Sequence, residues 1–304
     1  MTVPLTVRIA RLARAGTPER WPAAVSPLTA RALQAPPRPA RVLAALPTAL
    51  YLLLPEGHDH VLPVLAADAL RLPTGLRLAT PSAELVWRVD QRDEVVVGEG
   101  RVRLPGADLL AVRTWRPARV PVVQERVEAA GLQATLAALE PATGAAVLRE
   151  LARDVATAAL LARTGRVARL VGGLVGAGRG LTPSGDDALC GVLLGLRAAG
   201  AVPAGRQLEV AVRRGVGATT SLSASLLLAA IDGYAVPEVV DAVGSAVRAD
   251  TAALASAMPS VLAIGHSSGA DLLAGLAGTL DALCRTGLPS SDHPHPQPEG
   301  ARRA

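Results

Sequence analysis

The texture of the chain changes abruptly near Pro121, and that break constrains the fold more than any single motif. Before it, apolar residues come in short runs at 49–54, 61–65, 84–89, 95–97 and 109–115, and runs of that length read as strands. Clusters such as Pro55-Glu56-Gly57, Pro73-Thr74-Gly75, Gly98-Glu99-Gly100 and Pro105-Gly106 separate them. Such turn chemistry predicts a small antiparallel sheet or barrel. After Pro121, alanine and leucine recur with helical spacing, which predicts helices over 124–140, 143–163, 167–175, 188–199, 206–214, 219–231, 237–248, 251–262 and 270–285. The expected class is α+β, an N-terminal antiparallel β sheet or small barrel followed by a mainly α-helical C-terminal half. The corresponding division is a β-rich region 1–123, a helical region 124–287 and a tail 288–304. The tail has four prolines and no periodicity, so disorder is expected there. Residues 1–39 are proline-spaced and give no clear pattern.

With 304 residues, half of them apolar, the chain can bury a sizeable core. All 31 basic side chains are arginine, and lysine is absent. That removes a Schiff base, a pyridoxal phosphate anchor, a Walker lysine and a kinase strand lysine. Any phosphate contact must come from arginine, hydroxyls or backbone. The arginines are scattered and no aromatic platform accompanies them, so the high isoelectric point does not indicate nucleic-acid binding. Cys190 and Cys284 each sit in an apolar helical pattern without metal-ligand spacing. They read as free thiols in a reducing compartment. No continuous run of about 18 apolar residues marks a membrane span, and the N-terminus lacks a signal-peptide core. A soluble, cytoplasmic protein is expected.

One segment is rich in chemistry. Residues 176–187 place Gly176, Gly178, Gly180, Arg179, Thr182, Ser184, Asp186 and Asp187 in front of an apolar helical stretch. Glycines let backbone amides approach a ligand, and a helix N-terminus attracts anions. A small phosphorylated or carboxylated ligand is the first expectation.

The motif recurs at an offset of 84 residues. Ser184 matches Ser268, Gly185 Gly269, Asp187 Asp271, Leu189 Leu273, Gly191 Gly275 and Leu196 Leu280. Two related loop-to-helix units are expected. Ser-x-x-Asp approximates a capping box, which accounts for both Ser/Asp pairs without any ligand. Capping leaves unexplained the three upstream glycines, Thr182, Asp186, His266 and Ser267. Gly191 and Gly275 fall on the same helix face as the acids, where a missing side chain lets another helix approach. If these helices cross, both loops open into one cleft holding Asp186, Asp187, Asp271 and His266.

Residues 219–225 form a third polar cluster that includes Thr220 and Ser221. It reads as a helix cap or as a hydroxyl wall of the anion site. His58-Asp59-His60 lies in a probable turn without a third ligand and reads as solvated. Trp115-Arg116-Pro117 reads as a strand end at the sheet rim, with the indole half buried.

Segments 178–187, 219–227 and 264–275 together resemble the signatures of the AllH-like family, which includes a subunit of oxamate carbamoyltransferase. The resemblance extends over about residues 40–287, with only texture and Trp115-x-Pro117 in the N-terminal half. It implies a part in moving a carbamoyl group between carbamoyl phosphate and oxamate or oxalurate during use of allantoin nitrogen. It also implies further protein subunits.

Such a substrate suits the motif. Gly178, Arg179, Gly180, Thr182, Ser184 and Gly185 could hold a phosphate, with Thr220, Ser221, Ser267, Ser268 and Asp271 completing the substrate site. Carbamoyl transfer needs oxyanion donors and a proton acceptor. His266 is the candidate base, while Asp186 and Asp187 would orient it or hold Mg²⁺. The alternative is a non-catalytic ligand-binding or assembly subunit. A third reading is a separate standalone enzyme on the same scaffold.

Overall fold

The computed structural model describes residues 18–123, 128–143 and 146–287; the expected disordered tail lies outside them. Eight strands form a closed barrel in the order β1 (Glu19–Val25), β5 (Leu76–Leu78), β4 (Val61–Leu65), β3 (Ala49–Leu53), β2 (Arg38–Leu46), β6 (Val95–Gly98), β7 (Arg101–Leu104) and β8 (Ala107–Thr114). Closure comes from β1 running parallel to β8. β4 and β5 are also parallel, and the other pairs are antiparallel. The barrel alternative is therefore the one realised, with a mixed rather than purely antiparallel ladder.

Alternating side chains fill the barrel. Leu50, Leu52, Leu62, Val64, Leu76, Val95, Val97, Val102 and Leu109 are all buried in one cluster, as expected for a small barrel whose interior is filled by side chains. Helix α1 (Pro27–Gln34) adds Leu33 to that core. Its cap Ser26 accepts from the Leu28 N–H at 3.2 Å and donates to the Pro73 carbonyl at 2.5 Å. The cap thus ties the helix to the barrel as well as starting it.

The strand expected at 84–89 is not formed. A short 3₁₀ turn, Ser82–Glu84, occupies its start, and the half-buried Trp87 packs against the barrel core while its indole donates to the Leu46 carbonyl at 2.7 Å. That run covers the end of β2 instead of joining the ladder.

The helical half comprises α2 (Ala129–Leu139), α3 (Ala146–Leu160), α4 (Thr164–Leu174), α5 (Ser184–Ala198), α6 (Val202–Gly215), α7 (Ser221–Ile231), α8 (Pro237–Val247), α9 (Thr251–Leu262) and α10 (Ser268–Thr286). In α5 nearly every side chain from Gly185 to Ala198 is buried, the mark of a helix packed on all sides. α10 is similarly buried from Leu273 to Leu280. The two motif helices are therefore the centre of the helical core, and the other helices surround them. None of the described helices is long and apolar enough to cross a membrane.

The segment after β8 belongs physically to the helices. Val120 is fully buried in their core. Its N–H donates to the Gly233 carbonyl at 2.8 Å, and the Val123 N–H donates to the Ala198 carbonyl at 2.8 Å. Arg197 Nε donates back to the Val120 carbonyl at 3.0 Å.

Candidate active site at the crossing of the two motif helices

The repeat in the sequence is a repeat in space. A Cβ on Gly191 would collide with the Leu272 carbonyl, and a Cβ on Gly275 would collide with the Ala188 carbonyl. Ala188 and Leu272 are themselves 84 residues apart, so the contact is reciprocal. α5 and α10 cross at a local pseudo-twofold axis, with backbone against backbone. The first glycine of each copy has its own equivalent role: Gly185 abuts the Leu174 carbonyl at the end of α4, and Gly269 abuts the Val261 carbonyl in the last turn of α9. Leu189 and Leu273, and Leu196 and Leu280, are fully buried. The shared glycines and leucines therefore have packing reasons, and the shared serine and acid do not.

Capping does not supply that reason. Pro183 and Ser267 occupy the N-cap positions, and neither helix has a side-chain cap hydrogen bond. Ser184 and Ser268 are the first residues inside their helices, one position too late for the expected box. Asp187 and Asp271 each keep one buried carboxylate oxygen, Oδ2, without a hydrogen-bond partner. Buried polar atoms without partners are uncommon and costly. Two at equivalent positions across one crossing mark the site.

Burial pushes the Asp187 carboxyl from an ordinary 3.8 up to about 8, and the neighbouring Asp271 and Asp186 charges act in the same direction. The Ser268 and Thr182 hydroxyls oppose the shift. Thr182 Oγ1 and Ser268 Oγ are hydrogen-bonded to each other at 2.9 Å, so the two copies of the loop meet above the acids. A carboxyl raised to about 8 favours its protonated form near neutral pH, in which it can donate.

Asp186 is different. Its Oδ1 accepts from the Gly176 N–H at 2.9 Å, and its Oδ2 accepts from the Thr219 hydroxyl and from Ser223 Oγ at 2.7 Å. With both oxygens engaged and only 1 % of its surface exposed, Asp186 fastens the glycine loop to the start of α7. The adjacent pair read from the sequence is thus split between two tasks. Among the described residues, no group of three or more His, Cys, Asp and Glu is placed to hold a metal ion.

The loop 176–183 presents its backbone outward. Gly176, Gly178 and Gly180 all have positive φ, at 73°, 128° and 90°, a region that side chains rarely tolerate. Gly178, Arg179 and Gly180 are exposed, as are His266 and Ser267 on the facing loop, while Ser184 is partly and Gly185 fully buried. Thr220 serves two ends, accepting from the Ser223 N–H at 3.1 Å as N-cap of α7 and donating to the Leu181 carbonyl at 2.5 Å. The hydroxyl cluster therefore caps α7 and ties its start to the glycine-rich loop.

His58 corrects the reading of its turn as simply solvated. Its Nε2 donates to the Thr219 carbonyl at 2.7 Å, and its Nδ1 lies 3.1 Å from Ser221 Oγ, which donates to it. The β3–β4 loop thus reaches the motif from the barrel. Only the nonlocal fold brings these residues together, and no spacing in the sequence signals it. Trp115 is half buried at the barrel rim as expected, its indole N–H donating to the Gly75 carbonyl at 2.9 Å. Cys190 and Cys284 are free thiols, Cys190 buried.

The structure is thus a closed barrel followed by a helical half, with paired acids at a repeated glycine crossing beside a glycine-rich loop. The family model described as oxamate carbamoyltransferase subunit AllH matches residues 174–280, from the last residue of α4 into α10. The matched stretch contains the motif residues of both copies, so the resemblance read from the sequence is shown over that stretch. No curated protein and no solved structure matches the chain.

Proposed function

We propose that this chain is one subunit of an oxamate carbamoyltransferase-like complex and that the α5–α10 crossing contributes to its substrate site. The observation that carries the reading is the pair Asp187 and Asp271, at equivalent positions and each with one buried, unpartnered oxygen, inside the segment matched by the family model. Other chains of the complex would complete the site above the exposed loops.

In this reading the amides of Gly178 and Gly180, with Arg179, receive the anionic end of carbamoyl phosphate or oxamate. Thr182 and Ser268 turn their hydroxyls to the carbamoyl oxygen, where charge develops as the tetrahedral intermediate forms. Neutral Asp187 donates a hydrogen bond to the same region or a proton to the departing group. His266, exposed on the facing loop, accepts the proton of the attacking nitrogen. A divalent cation such as Mg²⁺ would be an alternative to the proton-donor role of Asp187: it would need Asp187 ionised beside Asp271, since the oxygens of Asp186 are taken, and substrate oxygens to fill its shell. Asp186 and His58 position the loops without touching substrate.

The test is oxamate-dependent consumption of carbamoyl phosphate by the complex recovered with this chain as bait. Asp187→Asn, Asp271→Asn and His266→Ala should each lower kcat by about 10²-fold or more, as for lost acid–base groups. Undiminished turnover in all three folded variants would make the chain a binding or assembly subunit instead. Full turnover by the isolated chain would show a standalone enzyme.

A further inference from the structure

A cationic feature lies away from the crossing. Where the barrel rim meets α8, a cavity of about 590 Å³ is lined by Arg71, Arg77, Arg116 and Arg119 together with Trp115 and Pro237. It shares no residue with the Asp187 cluster, and its volume falls in the range of small-molecule sites.

Two of its arginines are held in place. The Arg77 guanidinium lies 5.4 Å from the centre of the Trp115 ring, and that of Arg119 lies 5.2 Å from the centre of the Tyr234 ring. Arg119 Nε also donates to the Asp232 carbonyl at 2.8 Å. The sequence has only three tryptophans, two tyrosines and no phenylalanine, so two of five aromatic rings are used to fix guanidinium groups beside one cavity. Stacking of this kind orients the fork before a ligand arrives, which lowers the ordering cost of binding.

Among the described residues the one ion pair made by these four arginines is that of Arg71 with Glu238 Oε1 at 4.0 Å, and the other oxygen of Glu238 is buried without a hydrogen-bond partner. Arg77 Nε is likewise buried and unpartnered. Burial pulls the Arg77 pKa down, and the Arg71 and Arg113 charges add to the effect. Like charges gathered at a partly desolvated surface repel one another unless a counter-anion joins them.

We propose that this cavity is a binding site for a small organic polyanion carrying at least two phosphate or carboxylate groups. Four guanidinium forks lining one cavity suit a ligand with more than one anionic group, each able to take paired N–H donors, while Pro237 and Val240 add apolar lining for the linking carbons. The proposal stands apart from the carbamoyl-transfer reading, because it uses none of the same residues.

The experiment is calorimetric titration of the full chain with inorganic pyrophosphate and with citrate, against potassium chloride at matched ionic strength. Saturable one-to-one binding of either polyanion is expected, and it should weaken by about tenfold or more in Arg71→Gln/Arg116→Gln, in line with loss of charge-assisted hydrogen bonds. Arg116→Ser alone, a change at one exposed side chain, carries the same expectation if the double variant does not fold. Binding should persist in Asp187→Asn. Heat that follows ionic strength without saturating would overturn the proposal, as would equal affinity in the arginine variants or loss of binding in Asp187→Asn. Capture of a poly-glutamate decamer while pyrophosphate and citrate fail would also overturn it, and would point to a protein partner.

Discussion

At the residue scale, the informative contrast is between Asp186 and Asp187, neighbours with opposite environments. Asp186 accepts from one backbone amide and two hydroxyls, which engage both of its oxygens. Asp187 keeps an oxygen without a partner, and burial raises its pKa to about 8. Folding therefore takes up a proton on Asp187 between its unfolded value near 3.8 and about 8. In that window the native state binds the extra proton, so this residue's contribution to stability is complete at low pH and declines as pH rises, levelling off above about 8. Asp187→Asn keeps the shape without the titration. The variant should gain on the parent, on the order of a few kcal/mol between pH 5 and 8. Urea midpoints measured across that range would show it, and parallel pH profiles for parent and variant would refute the assignment. The same substitution is expected to lower turnover, so a gain in stability with a loss of activity would mark a residue kept for chemistry.

At the element scale, the crossing of α5 and α10 makes a sharper demand. Alanine at Gly191 or at Gly275 would place a Cβ against a backbone carbonyl of the other helix, which cannot rotate away as a side chain can. Each single substitution should cost about 1–3 kcal/mol, the usual range for overpacking. Because both open the same crossing, the second should cost clearly less once the first is present. A double-mutant cycle by urea denaturation measures this, and strictly additive losses would mean that the two glycines do not share one contact.

The crossing was legible because its glycines recur at one offset and helical periodicity placed them on the face of the acids. The helices were legible for a similar reason, since their apolar spacing is local. β1, β2, β5 and β7 were not. β1 carries Pro22, β5 is three residues long, and Arg101-Val102-Arg103-Leu104 alternates over too short a run to separate it from the turns beside it. Barrel closure depends on the parallel pairing of β1 with β8, between residues about 90 apart, a distance at which no local pattern speaks. The cap expected at Ser184 failed by a single position, because Pro183 takes the N-cap place with its fixed φ. The contacts of His58, whose turn reads from the sequence as solvated, were hidden for the same reason as the barrel closure, its partners being 161 and 163 residues away.

At the scale of the whole molecule, the question is how the barrel and the helices depend on each other. Their described hydrogen-bonded links include the His58 contacts to Thr219 and Ser221 and the covalent passage from β8 through residues 115–123. That passage is docked on the helices, with Val120 buried in their core and an isolated β-bridge joining Arg119 to Tyr234. A division of the chain at 123 would strip those contacts from the helical half. A fragment beginning at residue 115 retains Val120 and the carbonyl that receives Arg197 Nε, whereas one beginning at 128 leaves Arg197, already partly desolvated by burial, without that acceptor. Both fragments can be followed by thermal melting in circular dichroism through residue 287. The longer is expected to unfold cooperatively. The shorter should melt several degrees lower, since the loss of a buried valine and its hydrogen bonds costs about 2–4 kcal/mol. Equal melting of the two would show that the passage only rests on the helical core, and failure of both to fold cooperatively would make the barrel, through the His58 bridge, part of one indivisible unit.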